Sequence, residues 1–170
     1  MEILNKSAMT EQTIRDALQD VMDPEIPNLS IVDLGIVRNV DVTDDAIEVE
    51  IMPTFVGCPA LEIIKESVQE RLGELAPDRA ITIKVTLDEP WTTDRMTERG
   101  REALRSSGFA PPQRGPMPTR GNLIQLMPVA ECPYCGSRKT TLNNAFGPTL
   151  CRAIYYCHNC RQPFEQFKQV

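Results

Sequence analysis

IEVEIMPTFVGCPALEIIKESVQERLGEL, residues 47–75, decides how the N-terminal part of this chain folds. Ile47, Val49 and Ile51 alternate with Glu48 and Glu50, a period of two that places apolar side chains on one face of a strand and carboxylates on the other. The strand gives way at Thr54-Phe55-Val56-Gly57-Cys58-Pro59. Beyond it the period lengthens, and Leu61, Ile64, Val68, Leu72 and Leu75 share one face of a helix that Pro59 opens at its first position and Pro77 follows.

Working outward, Val37–Val42 reads as a neighbouring strand joined through Thr43-Asp44-Asp45, and Ile81, Ile83, Val85 and Leu87 alternate as a third. Upstream, Ile14, Leu18 and Val21 recur at helical spacing behind Thr10, whose hydroxyl can cap, so a helix is predicted over 11–22 and ended by Pro24. Asp23-Pro24-Glu25-Ile26-Pro27-Asn28 is a rigid turn, because two prolines fix φ. A sheet with one apolar face under two helices is a two-layer α/β domain, a small mixed sheet with helices on one face.

Arg95–Ser107 is charge-rich and reads as a surface helix or a mobile arm, with Gly108 to end it. Ala110–Pro128 holds five prolines and two glycines without a period, as an extended linker does. The expected division is a domain over 1–108, a Pro-rich linker over 109–128 and a small C-terminal module over 129–170. A chain of 170 residues, 41% hydrophobic and 25% charged, suits one core of roughly 100 to 130 residues plus such a module.

The net charge of −6 is unevenly shared: residues 128–170 carry five Lys/Arg against two Asp/Glu, leaving thirteen against twenty-two for the rest. So acidic a body excludes duplex nucleic acid, which needs clustered cations. A nucleic-acid-binding ribbon would rest only on the basic tail and on Tyr134, Tyr155, Tyr156, Phe164 and Phe167, aromatics better read as packing around a metal. No stretch approaches the ~20 apolar residues that span a bilayer. Residues 1–10 lack a leader pattern, so the expected location is cytoplasmic.

Cys132-Pro-Tyr-Cys135 and Cys157-His-Asn-Cys160 are two CxxC pairs separated by 21 residues, slightly longer than the usual spacer of a structural zinc site. Each pair makes a tight turn offering two thiolates, Gly136 permits the positive φ such turns need, and two facing turns complete a tetrahedron. Zinc is the expected ion, ahead of a tetracysteine iron centre in the same geometry and of disulfides, which a reducing compartment disfavours. His158 as a substitute ligand and Cys151 as a spare one are secondary readings. Cys151 is read first as a packing residue.

Cys58 lies where a strand hands over to a helix, at the N-cap or beside it, where free amides and the helix dipole would lower a thiol pKa. The residues alone leave it open between a buried structural cysteine and a functional thiol. Asp23, Glu25 and Asp33 are the nearest candidate polar partners, with turn and capping roles as their ordinary reading. With one histidine in the chain, inside the C-terminal module, a Cys–His pair is excluded short of domain closure.

Taken together, Asp23-Pro24-Glu25-Ile26-Pro27, Val32-Asp33-Leu34-Gly35-Ile36-Val37 and Thr54-Phe55-Val56-Gly57-Cys58-Pro59 resemble the small iron-sulfur assembly family that includes SufT. Pro90-Trp91-Thr92-Thr93-Asp94, Gly100-Arg101-Glu102-Ala103-Leu104, Ala110-Pro111-Pro112 and the closing CxxC pairs extend the resemblance to the PaaD (also PaaJ) group of bacterial phenylacetic acid degradation, with its C-terminal zinc ribbon. The resemblance implies a non-catalytic maturation factor that installs or maintains an iron-sulfur cluster in the phenylacetyl-CoA epoxygenase system, in its reductase subunit. The alternative it implies is a structural or regulatory subunit of the oxygenase. The family's reactive cysteine falls on Cys58, with Asp23, Glu25 and Thr54 around it. The implied cofactors are structural zinc on Cys132, Cys135, Cys157 and Cys160 and a transient iron or iron-sulfur cluster at Cys58. The implied partners are an iron-sulfur client, a cluster scaffold and a second copy of the chain.

Overall fold

The structure is a computed structural model and describes residues 9–114 and 129–168. Its elements are α1 (Glu11–Leu18), β1 (Met22–Asp23), β2 (Ile26–Ser30), α2 (Ile31–Leu34), β3 (Val37–Val42), β4 (Ala46–Ile51), α3 (Leu61–Leu75), β5 (Ala80–Val85), α4 (Glu98–Ser106), β6 (Phe109–Ala110), β7 (Thr140–Asn144), β8 (Arg152–Cys157) and β9 (Pro163–Phe167). A single 3-10 turn, Thr93–Arg95, precedes α4.

The alternation in β4 does what the pattern requires: Ile47, Val49 and Ile51 have no exposed surface, each contributing about 2 kcal/mol of burial. β4 is the centre of a three-stranded mixed sheet, antiparallel to β3 and parallel to β5, with Ile47 opposite Ile81 and Val49 opposite Ile83. A parallel pair needs a crossover, and α3 supplies it. Its Ile64, Val68 and Leu72 are buried toward the sheet, and α1 lies beside it, burying Ile14, Ala17 and Leu18. The two-layer α/β architecture is therefore as the periodicity indicates.

Several local expectations are corrected. α1 starts on the Thr10 cap, whose hydroxyl accepts from the Thr13 amide at 3.2 Å, but stops at Leu18. Val21 is instead drawn into the core, its carbonyl accepting from the Ile31 amide, and Met22–Asp23 becomes a strand against β2. α3 begins at Leu61 with Ala60 as cap, so Pro59 stands before the helix rather than at its first position. The segment 95–107 is neither arm nor wholly surface. α4 buries Leu104 and Arg101, and Gly100 comes so close to α2 that a Cβ there would lie 2.5 Å from the Asp33 carbonyl oxygen. Its polar sequence hides this, because Arg101 is buried with its guanidinium donating to the carbonyls of Thr93 and Pro112.

The C-terminal module is a sheet ordered β6-β9-β8-β7 with its own small core of Ala110, Ala130, Cys132, Ala153, Tyr155, Cys157 and Phe164. Phe109 and Ala110, where the linker is expected to start, pair in parallel with Glu165 and Gln166 of β9. Of the linker expected over 109–128, residues 115–128 lie outside the described residues. The module is joined to the first domain through side chains. Trp91 donates Nε1–H to the Leu34 carbonyl at 3.1 Å and meets Phe167 edge-on at 5.9 Å, while Phe167 and Cys151 belong to the core of the first domain rather than to that of the ribbon. Arg152 completes the joint: its guanidinium bonds the Glu25 carboxylate at 3.1 Å, the Glu25 carbonyl at 3.3 Å and Glu165 at 3.1 Å, and lies over the Phe109 ring.

Candidate metal centre and thiol site

The two CxxC turns are built alike. In the first, the Cys132 amide bonds the Ser137 carbonyl and the Gly136 amide bonds the Cys132 carbonyl; in the second, the Cys157 amide bonds the Gln162 carbonyl and the Arg161 amide bonds the Cys157 carbonyl. The residue after each second cysteine is left-handed, Gly136 at φ +70° and Arg161 at φ +60°. Glycine meets that requirement freely, whereas arginine holds it only because the surrounding turn imposes it.

Cys132 and Cys160 Sγ stand 3.6 Å apart, as do Cys135 and Cys157, and all four sulfurs lie within 4.8 Å of one another. A tetrahedron with metal–sulfur bonds of about 2.3 Å has edges of about 3.8 Å, so the quartet is already metal-sized. Its acid–base chemistry also fits a cation. The Ser137 amide and then the Asn159 side chain hold the Cys135 thiol down at about 6, and the Cys160 amide lowers Cys157. Burial raises Cys132 and pushes Cys160 up to about 12. Four sulfurs this close ionise together only around a positive ion, which these residues would hold as a closed site. His158 takes no part, since its Nε2 is 2.7 Å from the Thr141 hydroxyl and its ring packs edge-on to Tyr156.

A second group gathers at the domain joint. The loop between β4 and α3 leaves the C-terminal end of the central strand, the edge at which open α/β sheets commonly place ligands. It carries buried Thr54, exposed Val56, Gly57 at φ +84° and half-buried Cys58. Asp23 sits opposite, its Oδ1 accepting from the amides of Glu25 at 2.8 Å and Ile26 at 3.0 Å, which is what fixes the turn at Pro24. Burial first, then the neighbouring Glu25, raises the Asp23 carboxyl above the usual range, against the pull of those amides and of Arg152.

Here the sequence reading of Cys58 is corrected. The thiol lies three residues before α3, not at its cap, and only the Ala60 amide favours its ionisation. Burial and the negative field of Asp23, Cys151 and Glu25 outweigh that amide, so the Cys58 pKa is raised rather than lowered. The structure thus brings Cys58, Asp23 and Glu25 into one electrostatic neighbourhood and leaves Asp33 out of it. Asp33 is buried at α2, bound to the Thr97 hydroxyl and to Arg99, both at 2.7 Å. Cys151, Arg152 and Trp91 also belong to this joint, a place the sequence reading did not give them. Their one legible signal was a cysteine outside the CxxC spacing.

The models of two families match the chain in this order: residues 11–85 match an iron-sulfur cluster assembly protein family, and residues 118–168 match the PaaD zinc beta ribbon domain. An Escherichia coli protein named for the 1,2-phenylacetyl-CoA epoxidase, as one of its subunits, is 40% identical over 90% of this chain and 89% of its own length. An Fe-S protein maturation auxiliary factor of Porphyromonas gingivalis is 35% identical over 62% of this chain and 97% of its own. Among solved structures, a domain of unknown function, DUF59, from Bacillus anthracis superposes with a TM-score of 0.52 at 29% identity, covering 55% of this chain and 90% of that one. The two matched regions correspond to the α/β domain that carries Cys58 and to the ribbon that carries the cysteine quartet. On these grounds the chain belongs to the family that joins an iron-sulfur cluster assembly domain to a PaaD zinc beta ribbon.

Proposed function

We propose that this protein is a non-catalytic maturation factor that handles iron or an iron-sulfur cluster as cargo for the phenylacetyl-CoA epoxygenase system, with the reductase subunit as its client. The observation that carries the reading is the half-buried Cys58 thiol grouped with Asp23 and Glu25 in a domain whose relatives are named for iron-sulfur maturation. One thiolate holds a cluster weakly, because stable ligation takes several cysteines, and weak ligation suits transfer. In this reading Asp23, whose charge acts on that thiol, takes the proton that leaves when the sulfur binds iron. Thr54 is buried in the same loop.

In this reading residues 1–108 carry the cargo site, 129–170 together with the strand Phe109–Ala110 form the zinc-bound ribbon that meets the client, and the rest of 109–128 connects them. The test is cluster occupancy of the client reductase in cells. Cys58→Ser should lower it severalfold, with normal levels of both proteins, and unchanged occupancy would end the proposal. A second reading follows the name of the Escherichia coli relative, a structural component of the epoxidase itself. Such a component would stay bound through purification and be required for turnover after the cluster is in place, whereas a maturation factor is dispensable once the client is loaded.

A further inference from the structure

We propose that the cavity between α4 and the first CxxC turn binds a small organic phosphate, with arginines holding the phosphate and prolines the organic body. The site is independent of the Cys58 reading.

The cavity has a volume of about 330 Å³, at the lower end of the range of small-molecule pockets. α4 forms one wall, the segment after β6 a second and the ribbon around Cys132 a third. The Gln113 side-chain amide donates to the Val129 carbonyl at 2.9 Å, tying the second wall to the third. Among the described residues the charged lining is Arg101, Arg105, Arg114 and Arg138 against Glu98 and Glu131. That is an excess of two positive charges in a chain whose net charge is −6. A phosphate monoester carries about two negative charges at neutral pH and balances this excess, whereas one carboxylate leaves half of it.

The buried arginine points the same way. Arg101 is 4% exposed, and its terminal nitrogens donate to the carbonyls of Pro112 at 2.6 Å and Thr93 at 2.7 Å. Its Nε–H has no hydrogen-bond partner, the Glu98 carboxylate staying 3.8 Å away. A buried charged donor left unpaired is costly, and an oxyanion in the cavity that Arg101 lines would satisfy it. Burial also lowers the Arg101 pKa, with Asp94 opposing the fall and Arg105 adding to it. Two further arginines can turn to a ligand at little cost. Arg105 is held only by an exposed pair with Glu102 at 3.2 Å, and Arg138 is exposed with no ion pair among the described residues. Pro111, Pro112 and Pro133 supply apolar lining for the organic body, and their rings lose no rotamer freedom on contact.

The experiment uses the full chain with zinc in the quartet, titrated calorimetrically with phenyl phosphate, inorganic phosphate or acetate in a buffer free of other oxyanions. Phenyl phosphate should bind once per chain, severalfold tighter than inorganic phosphate and about tenfold or more tighter than acetate. Arg101 is left intact because it holds two backbone carbonyls. Arg105→Gln with Arg138→Gln, both at exposed positions, should weaken phenyl phosphate about tenfold. Lys65→Gln with Lys84→Gln, the same loss of charge away from the cavity, should leave its affinity unchanged. Full zinc content and an unchanged far-ultraviolet spectrum confirm that each variant is folded. In nitrogen–proton spectra of the natural protein, phenyl phosphate should move the Arg101 Nε–H downfield and slow its exchange with water. No binding, equal binding of acetate, an equal loss in the lysine variant, an unaffected arginine variant or an unmoved Arg101 Nε–H overturns the proposal. Inorganic phosphate binding as tightly as phenyl phosphate overturns it as well, since that marks an adventitious ion only. Each of these outcomes leaves the Cys58 reading standing, because neither Cys58 nor Asp23 lines the cavity.

Discussion

The protein places its cysteines on two opposite plans. In the ribbon, four thiols come from two short turns of the same design, each within four residues of chain, and converge within 4.8 Å. At the joint, Cys58, Asp23 and Cys151 come from three distant segments, and Arg152, Trp91 and Phe167 hold together the two domains that carry them. The first arrangement suits permanent ligation, since all four bonds form from one small unit and resist exchange. Under the proposed function the second suits a cargo that must leave, since a single raised thiol holds iron weakly.

The comparison breaks most severely if the quartet is emptied. Structural zinc in small ribbons supplies on the order of 10 kcal/mol of folding free energy. Chelation, or Cys157→Ser, should therefore unfold β7–β9, seen as loss of amide exchange protection there while β3–β5 keep theirs. Protection of β7–β9 unchanged by chelation would show that the metal is not structural.

Next in size is Trp91→Ala. The indole fills the first core and abuts Phe167, so its loss should cost about 3 to 5 kcal/mol, read as a lowered denaturant midpoint, with zinc content unchanged. A smaller effect is expected from Arg152→Met, which leaves the partly exposed Glu25 and Glu165 carboxylates without their partner. It should cost about 2 kcal/mol, water sharing the loss. It should also loosen the Cys151 segment from the turn at Glu25 without disturbing the quartet, which sharpens the contrast between the two regions.

The smallest effect is on reactivity alone. Because burial and then Asp23 raise the Cys58 thiol, its alkylation by iodoacetamide should be slow at neutral pH and keep accelerating past the pH at which an ordinary cysteine levels off. Asp23→Asn removes negative charge, lowers that thiol and should shift the profile to lower pH. A profile below ordinary cysteine values would show instead that the helix dipole prevails.

Much of this was legible in advance because it is local. The β4 alternation, the α3 stripe and the paired CxxC turns each occupy one short window, where period and spacing dictate geometry. The errors share one cause, which is that a distant contact outweighed a local signal. Val21 left the helix pattern for the core, the charge-rich α4 buried Arg101 on backbone carbonyls, and the field of Asp23 and Cys151 together with burial reversed the expected shift at Cys58. Asp33 belonged to the right motif but was committed to α4 by Thr97 and Arg99.

The amino-acid sequence alone therefore determined the two-layer α/β plan, the appended ribbon and the four sulfurs that can hold its ion, since each depends on residues close together in the chain. Only the tertiary structure decided where Cys151 goes, what Trp91 and Arg152 are for, and in which direction the Cys58 thiol is shifted. Those outcomes depend on burial and on partners brought from dozens of residues away, more than a hundred in the pair Glu25 and Arg152, and no local window contains them.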